Sequence, residues 1–170
     1  MVERTSLGRS ALLVVVAAVV EAIIGPYLTF GTISPHLTLI AVAVCAFGLE
    51  EVQGLLLGFF GGVLVDALGE GLFGVGALGG LVAAAIALRL GRVQVRGVER
   101  LLLTQAAALS VAAYDIIHLL GTSLAGMNGP PLGGYILLGV LPDAVINGVL
   151  AYLFGMWFLR RVRVKGFGWT

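Results

Sequence analysis

Apolar residues fill six long runs of this chain, separated by short stretches rich in glycine, proline or charge. A helix of about 20 apolar residues can cross the hydrocarbon core of a membrane, because it satisfies its backbone hydrogen bonds internally. The pattern therefore predicts an all-α bundle of six membrane-spanning helices. Their expected bounds are Ser10–Tyr27, Pro35–Leu49, Val52–Leu68, Leu72–Leu90, Arg100–Thr122 and Tyr135–Leu159.

Proline and acidic residues mark where these helices should start, bend and stop. Gly25-Pro26 is expected to break the first helix, and Pro35 suits the first position of the second. Glu50-Glu51 marks the turn before the third helix, and Pro142 should kink the sixth. The segment 121–134 (GTSLAGMNGPPLGG) is expected to be a loop.

The composition supports a single membrane domain over residues 1–170. The chain is 59% hydrophobic and 11% charged, whereas soluble domains are about 25% charged. The N-terminal run resembles a secretory signal, but it continues past Glu21, so we favour an uncleaved first helix. The lone Cys45 excludes an intrachain disulfide, and His36 and His118 lack metal-ligand spacing, so we expect no metal and no cofactor.

The positive charges predict the orientation in the membrane. All ten Lys and Arg residues fall in the N-terminal tail, in the connection between the fourth and fifth helices, or in the C-terminal tail. With six helices these three regions share one side, which the positive-inside rule assigns to the cytoplasm. The C-terminal cluster, which we expect to contact anionic lipid or a partner protein, comprises Arg160, Arg161, Arg163 and Lys165.

Glycines recur at a spacing of four in the third and fourth helices. Small residues at this spacing let helix backbones approach closely in lipid, where dispersion contacts drive association. We expect a tightly packed helical pair around which the chain is organised. The stripe on the third helix is also a candidate contact for a helix of another subunit. These helix-packing positions are Gly54, Gly58, Gly62, Gly76 and Gly80.

Four acidic residues lie within or at the edge of apolar runs: Glu21, Asp66, Asp115 and Asp143. The expected topology places all four towards the outer half of the membrane, where the sequence offers no Lys or Arg. A charged side chain in a span costs about 2.5–3.5 kcal/mol on insertion scales. Each acid must therefore be protonated, hydrogen-bonded or open to a water-filled cavity.

Local spacing suggests partners for these acids. Asp115 and His118 share one helical face at a spacing of three, as an interhelical polar clamp or as a proton or ligand site. Asp143 faces Asn147 at a spacing of four and could close the carbonyls freed by Pro142. For Asp66 we favour a helix-end role, hydrogen-bonded to loop backbone, over a catalytic one.

Catalysis and nucleic-acid binding have little support in the sequence. No serine or cysteine has a base at a spacing that would indicate a nucleophile and its general base. No HExxH motif occurs, and no glycine-rich loop follows a strand. The basic residues are not interleaved with aromatic ones, as nucleic-acid binding would favour. We therefore expect no catalytic residues.

Three motifs resemble the bacterial rod shape-determining MreD family. They are SPHLTLI (residues 34–40), GLLLGFFGGVLVD (54–66) and GVGAL (74–78), and the ending, with Leu141-Pro142, Asn147 and a basic tail, also fits. The resemblance covers essentially the whole chain. It places Pro35, Asp66, Pro142 and Asn147 on the family pattern, whereas Glu21 and the Asp115–His118 pair have no match there.

The resemblance implies a non-enzymatic scaffold subunit of the cell-elongation machinery in the bacterial inner membrane. Its expected partner is MreC, and through it MreB, RodA and a class B transpeptidase, with a homodimer as a further hypothesis. The implied fold is similar to the S-component of energy-coupling-factor transporters. Two alternatives stay open: a solute-binding subunit of a vitamin transporter, and an intramembrane proton or ion pathway.

Overall fold

The computed structural model describes residues 7–29, 31, 33–69, 72–93, 98–126 and 132–163, and for residues 132 and 156–163 it describes the backbone alone. Within these ranges the chain forms six helices. The helices are α1 (Leu7–Leu28), α2 (Leu37–Ala46), α3 (Glu51–Leu68), α4 (Val75–Gly91), α5 (Glu99–Leu124) and α6, which runs through Leu132–Tyr135, a π-helical turn at Ile136–Val140, and Leu141–Arg163.

Four of the described helices, α1, α3, α5 and α6, are long and apolar enough to cross a membrane. The other two, α2 and α4, are apolar but shorter. The ten residues of α2 extend only about 15 Å at 1.5 Å per residue, which is half of a typical hydrocarbon core. The sequence therefore located all six helices but overestimated the length of the second.

The short helix α2 lies at the centre of the fold. Every residue from Thr38 to Ala46 is buried, and α2 packs against each of the other five helices. Irregular backbone at membrane depth is tolerated where protein covers it. Burial by its neighbours therefore allows α2 to be short and to begin after an extended segment.

The most extensive helix contact in the described chain joins α3 and α4, as the glycine spacing predicts. A Cβ atom added at Gly58 would overlap the backbone carbonyl of Gly80, and one at Gly62 would overlap that of Gly76. Ascending positions on α3 meet descending positions on α4, so the two helices run antiparallel. The expected tightly packed pair is confirmed.

Pro26 acts differently from expectation, whereas Pro142 follows a local irregularity in its helix. Pro26 does not break α1, which continues for two more residues to Leu28, and the Thr29 hydroxyl donates to the Gly25 carbonyl at 2.9 Å. Pro142 is preceded by the π-helical turn, in which the Leu141 N–H donates to the Ile136 carbonyl. Because Pro142 has no N–H to donate, the helix accommodates it by widening the turn before it.

The helices alternate in direction, so each end of the bundle collects the starts of some helices and the ends of the others. The described Arg residues and the four acids of the apolar runs fall towards different ends. One end, which we call the arginine end, carries Arg9, Arg100 and an ion pair between Arg92 and Glu51. The opposite end, which we call the acid end, holds the last turns of α1, α3 and α5 and the first turns of α2, α4 and α6. The candidate functional residues lie in the half of the bundle towards the acid end: Asp66 is in the last turn of α3, and Glu21, Asp115 and Asp143 lie about two to three turns inside the ends of α1, α5 and α6.

Candidate functional site

At the start of α2, the ring of His36 faces three carboxyl groups from three other helices. Its Nε2 lies 3.2 Å from Asp143 Oδ2 and 3.7 Å from Asp115 Oδ1, and its Nδ1 lies 3.6 Å from Glu21 Oε1. Asn147 joins the same group through its bonds to the backbone beside His36. We call these five residues the His36 cluster.

Asn147 connects α6 to the extended segment before α2. Its Oδ1 accepts the His36 backbone N–H at 2.7 Å, and its Nδ2 donates to the Ser34 carbonyl at 2.9 Å. The same Nδ2 donates to Asp143, at 2.9 Å to the carbonyl and 3.0 Å to Oδ1. The predicted Asp143–Asn147 pair is therefore confirmed. The carbonyls that Asn147 binds are those of Asp143 and of Ser34 in the neighbouring segment, and not ones freed by Pro142.

Carboxylates accept two further backbone N–H groups in and just before the start of α2. Glu21 Oε2 accepts the Thr38 N–H at 2.6 Å, and Asp143 Oδ1 accepts the Ser34 N–H at 3.0 Å. The residue before the helix, His36, makes no side-chain cap. Side chains from α1 and α6 thus replace the N-cap that this helix lacks.

Burial makes the charge of the His36 cluster costly. Asp115, Asp143 and Asn147 are at most 5% exposed, whereas the side chains of His36 and Glu21 are 14% and 19% exposed. Within the described residues, the ion pairs of the three carboxyl groups are all with His36. One imidazole faces three acids, so the cluster carries an excess of negative charge unless a proton or a cation compensates it.

Asp66 forms a separate site, a cap on α4. Its two carboxylate oxygens accept the backbone N–H groups of Gly74, Gly76 and Ala77 at 2.8, 2.7 and 3.0 Å. Gly74 turns the chain with φ of 100°, a conformation that favours glycine. Because an acid at a helix N-terminus is stabilised by the helix dipole, this geometry bears out the helix-end role favoured for Asp66.

The glycine stripe of α3 is filled by the chain's own α4. Gly58 and Gly62 contact Gly80 and Gly76, and a Cβ at Gly54 would lie 2.9 Å from the Leu88 side chain. The glycine face of α3 that we expected to contact a helix of another subunit is thus covered by α4 of the same chain. A partner surface on α3 must lie on its other face.

His118 does not form the expected interaction with Asp115. The ion-pair partner of Asp115 in the structure is His36, which lies on another element. The ring of His118 instead lies 6.1 Å from that of Tyr114. The expected clamp between Asp115 and His118 is replaced by the clamp between Asp115 and His36.

The backbone of Arg160, Arg161 and Arg163 belongs to the end of α6, and Lys165 lies outside the described residues. Their contact with lipid or a partner stays a prediction.

His36 is the residue of the candidate site that the sequence does not single out. No metal-ligand spacing surrounds it along the chain. The available signal was its place after Pro35 at the start of a helix at the acid end, where the sequence supplies no Lys or Arg to offset the acids. The ligand-type atoms of His36, Asp115 and Asp143 lie within 4.8 Å of one another, a grouping that can hold a proton or a cation.

Comparison with protein families agrees with the motifs and the fold. Residues 4–164 match the family described as rod shape-determining protein MreD. Neither curated proteins nor solved structures gave a match. The family match covers nearly the whole chain, and the described helices are those of a membrane protein. The chain therefore belongs to the MreD family of rod shape-determining membrane proteins.

Proposed function

We propose that this protein is a non-enzymatic scaffold of the bacterial cell-elongation complex, which binds MreC and supports lateral peptidoglycan synthesis and rod shape. In a larger complex it would act with MreB, RodA and a class B transpeptidase. The observation that carries this proposal is the family match over residues 4–164. The polar groups of the His36 cluster and Asp66 favour a structural scaffold, because they hold helix starts in place.

In this proposal the chain crosses the plasma membrane six times with both termini in the cytoplasm. The separation of Arg9, Arg92 and Arg100 from the acid end supports this orientation. Two spans, α2 and α4, are short, but α2 is buried by the other helices, and a short span is tolerated where protein covers it. The acid end would then face outwards.

The outward face of α3 is our proposed contact for the single span of MreC. Leu56, Phe59 and Phe60 are 48%, 42% and 60% exposed there, and the two phenylalanine rings pack edge to face with centroids 5.5 Å apart. Aromatic side chains bring large contact areas with few rotatable bonds, and they are frequent anchors of interfaces. The glycines of α3 are already packed against α4, so this face remains for a partner.

Copurification tests the proposal and its surface together. Wild-type protein coexpressed with MreC should retain it through affinity purification in detergent. Combining Phe59→Ala with Phe60→Ala should reduce the recovered MreC about fivefold or more, the loss expected for an interface anchor.

The matched control is Leu153→Ala on α6, which is 53% exposed and should change nothing. Full recovery of MreC with the α3 variant would contradict the proposed surface. Failure of the wild-type protein to retain MreC would contradict the scaffold function. Recovery of a second tagged copy of this chain instead of MreC would favour a homodimer at the α3 face.

The His36 cluster favours a second candidate, a solute-binding subunit of the S-component type. Polar groups from α1, α2, α5 and α6 converge at the acid end, where such a subunit would open outwards. Mass spectrometry of the purified protein should then find a bound small molecule, and vitamins should raise its melting temperature. Copurification with a transporter ATPase instead of MreC would decide for this candidate.

A further inference from the structure

We propose that the His36 cluster is a binding site for a divalent transition-metal cation of the Mn²⁺ to Zn²⁺ series, with His36, Asp115 and Asp143 as ligands. This inference is independent of the scaffold function, because it rests on the geometry at the start of α2. The ion would join α2, α5 and α6 at the acid end.

The distances between the three ligand atoms fit one ion. His36 Nε2 lies 3.2 Å from Asp143 Oδ2 and 3.7 Å from Asp115 Oδ1, and all three atoms lie within 4.8 Å of one another. Atoms at these separations share a central point at most about 2.4 Å from each, close to the bond lengths of roughly 2.0–2.2 Å that zinc makes to nitrogen and oxygen. A small inward movement of the aspartates completes the site.

The groups around the ligands orient them as in known metal sites. Glu21 faces the other ring nitrogen of His36, and a carboxylate in this place holds the proton there and turns the free nitrogen towards the metal. Asp143 Oδ1 accepts hydrogen bonds from Ser34 and Asn147, which leaves Oδ2 directed at the ring. His36 and Asp143 therefore each have an outer partner.

A second observation beside the cluster also indicates a missing polar partner. The Thr38 hydroxyl is fully buried and makes no hydrogen bond within the described residues. Thr38 lies two residues after His36, and its backbone N–H is bound to Glu21. Buried polar atoms in native proteins almost always have a partner, and a water on the metal would supply one here.

The charge and the donor types select the kind of cation. Three carboxyl groups face a single imidazole, so a doubly charged ion would offset charge that the described residues leave uncompensated. An imidazole ligand suits zinc, iron and related metals, whereas magnesium and calcium prefer oxygen ligands alone.

Metal binding to the purified full-length protein tests this proposal. Protein in detergent is stripped with EDTA, exchanged into metal-free buffer, and titrated with ZnCl₂ or MnCl₂ in a calorimeter, with metal content read by mass spectrometry after gel filtration. We expect one ion per chain and a higher melting temperature with metal. His36→Gln and Asp115→Asn should weaken binding at least about a hundredfold, and Glu21→Gln, an outer-partner change, about tenfold.

Asp115→Asn is the most informative variant, because the backbone at the start of α2 is held by Glu21, Asp143 and Asn147. Its folding is checked by gel filtration and by the melting temperature in EDTA. The matched control is His118→Gln, which should bind metal as the wild type does. A wild-type protein that binds neither ion, or variants of His36 and Asp115 that bind with unchanged affinity, would overturn the proposal and leave a proton as the shared cation.

Discussion

The acid end contains two helix starts, those of α2 and α4, and the two are stabilised in different ways. Both helices are short and apolar, and neither is capped by the side chain that precedes it. At α4, Asp66 accepts three backbone N–H groups with both of its oxygens. At α2, three side chains from α1 and α6 share the same task.

The difference lies in what remains after the backbone is satisfied. Both carboxylate oxygens of Asp66 accept backbone N–H groups of the α4 start. At α2, by contrast, Asp115, the ring of His36 and one oxygen of Asp143 still face each other once the backbone donors are bound. One carboxylate is enough at the start of α4, so the additional acids at α2 fit the cation or proton proposed for the His36 cluster. The following predictions compare the two starts.

The largest loss of stability is expected for Asn147→Leu. This change leaves the His36 N–H and the Ser34 carbonyl without their partner in a buried setting. Unpaired buried groups cost about 1–3 kcal/mol each, so we expect the free energy of unfolding to fall by about 3 kcal/mol. Unfolding in detergent measures it, and Val149→Leu on the exposed face of α6 should have no effect. A loss under about 1 kcal/mol would show that Asn147 does not hold the α2 start.

Gly76→Ala should damage the α4 start by a steric route. The added methyl would lie 2.5 Å from Asp66 Oδ1 and 2.7 Å from the Gly62 carbonyl. Overpacking of this kind costs about 1–3 kcal/mol, which should appear as a lower melting temperature. Gly8→Ala, where the same atom meets open space, should leave the melting temperature unchanged. Equal behaviour of the two variants would disprove the close contact of α3 and α4.

Asp66→Asn separates the charge of the α4 cap from its shape. One oxygen remains to accept a backbone N–H, but the favourable interaction of the carboxylate with the helix dipole is lost, so we expect a cost of about 1 kcal/mol. The same variant should bind Zn²⁺ as the wild type does, because Asp66 is not among the proposed ligands. Loss of Zn²⁺ binding in Asp66→Asn would contradict the assignment of the metal to the α2 start alone.

The smallest effect is expected at the arginine end. Glu51 and Arg92 form an ion pair in which both side chains are more than 60% exposed. Exposed pairs contribute little because water and salt screen them, so Glu51→Gln should change the free energy of unfolding by under about 0.5 kcal/mol. A larger cost in a salt-dependent unfolding series would show that this end is not solvated.

The contrast between the two helix starts also explains what the sequence could predict. Hydropathy located all six described helices, and the glycine spacing predicted the α3–α4 contact, because both signals depend on residues close together in the chain. Asp66 lies 8 to 11 residues from the groups it caps, so its helix-end role could also be predicted from the sequence.

The sequence did not predict the His36 cluster as a whole, because apart from the Asp143–Asn147 pair its contacts join residues 15 to 113 positions apart. Each of its acids was recognised as costly in a membrane, but only the fold brings them to one imidazole. His118 was chosen as the partner of Asp115 from local spacing, and the packing of α2 against α5 supplied His36 instead. The short length of α2 was missed for the same reason, since its burial by five neighbours depends on the fold.

The central claim is that both helix starts face outwards in a six-span chain with a cytoplasmic arginine end. Single cysteines can test it in a Cys45→Ala background, with Thr29→Cys and Phe73→Cys at exposed positions of the acid end and Val93→Cys at an exposed position of the arginine end. A membrane-impermeant maleimide applied to spheroplasts should label Cys at positions 29 and 73 and should label position 93 only after lysis. Labelling of position 93 in sealed spheroplasts, or protection of positions 29 and 73, would contradict the account.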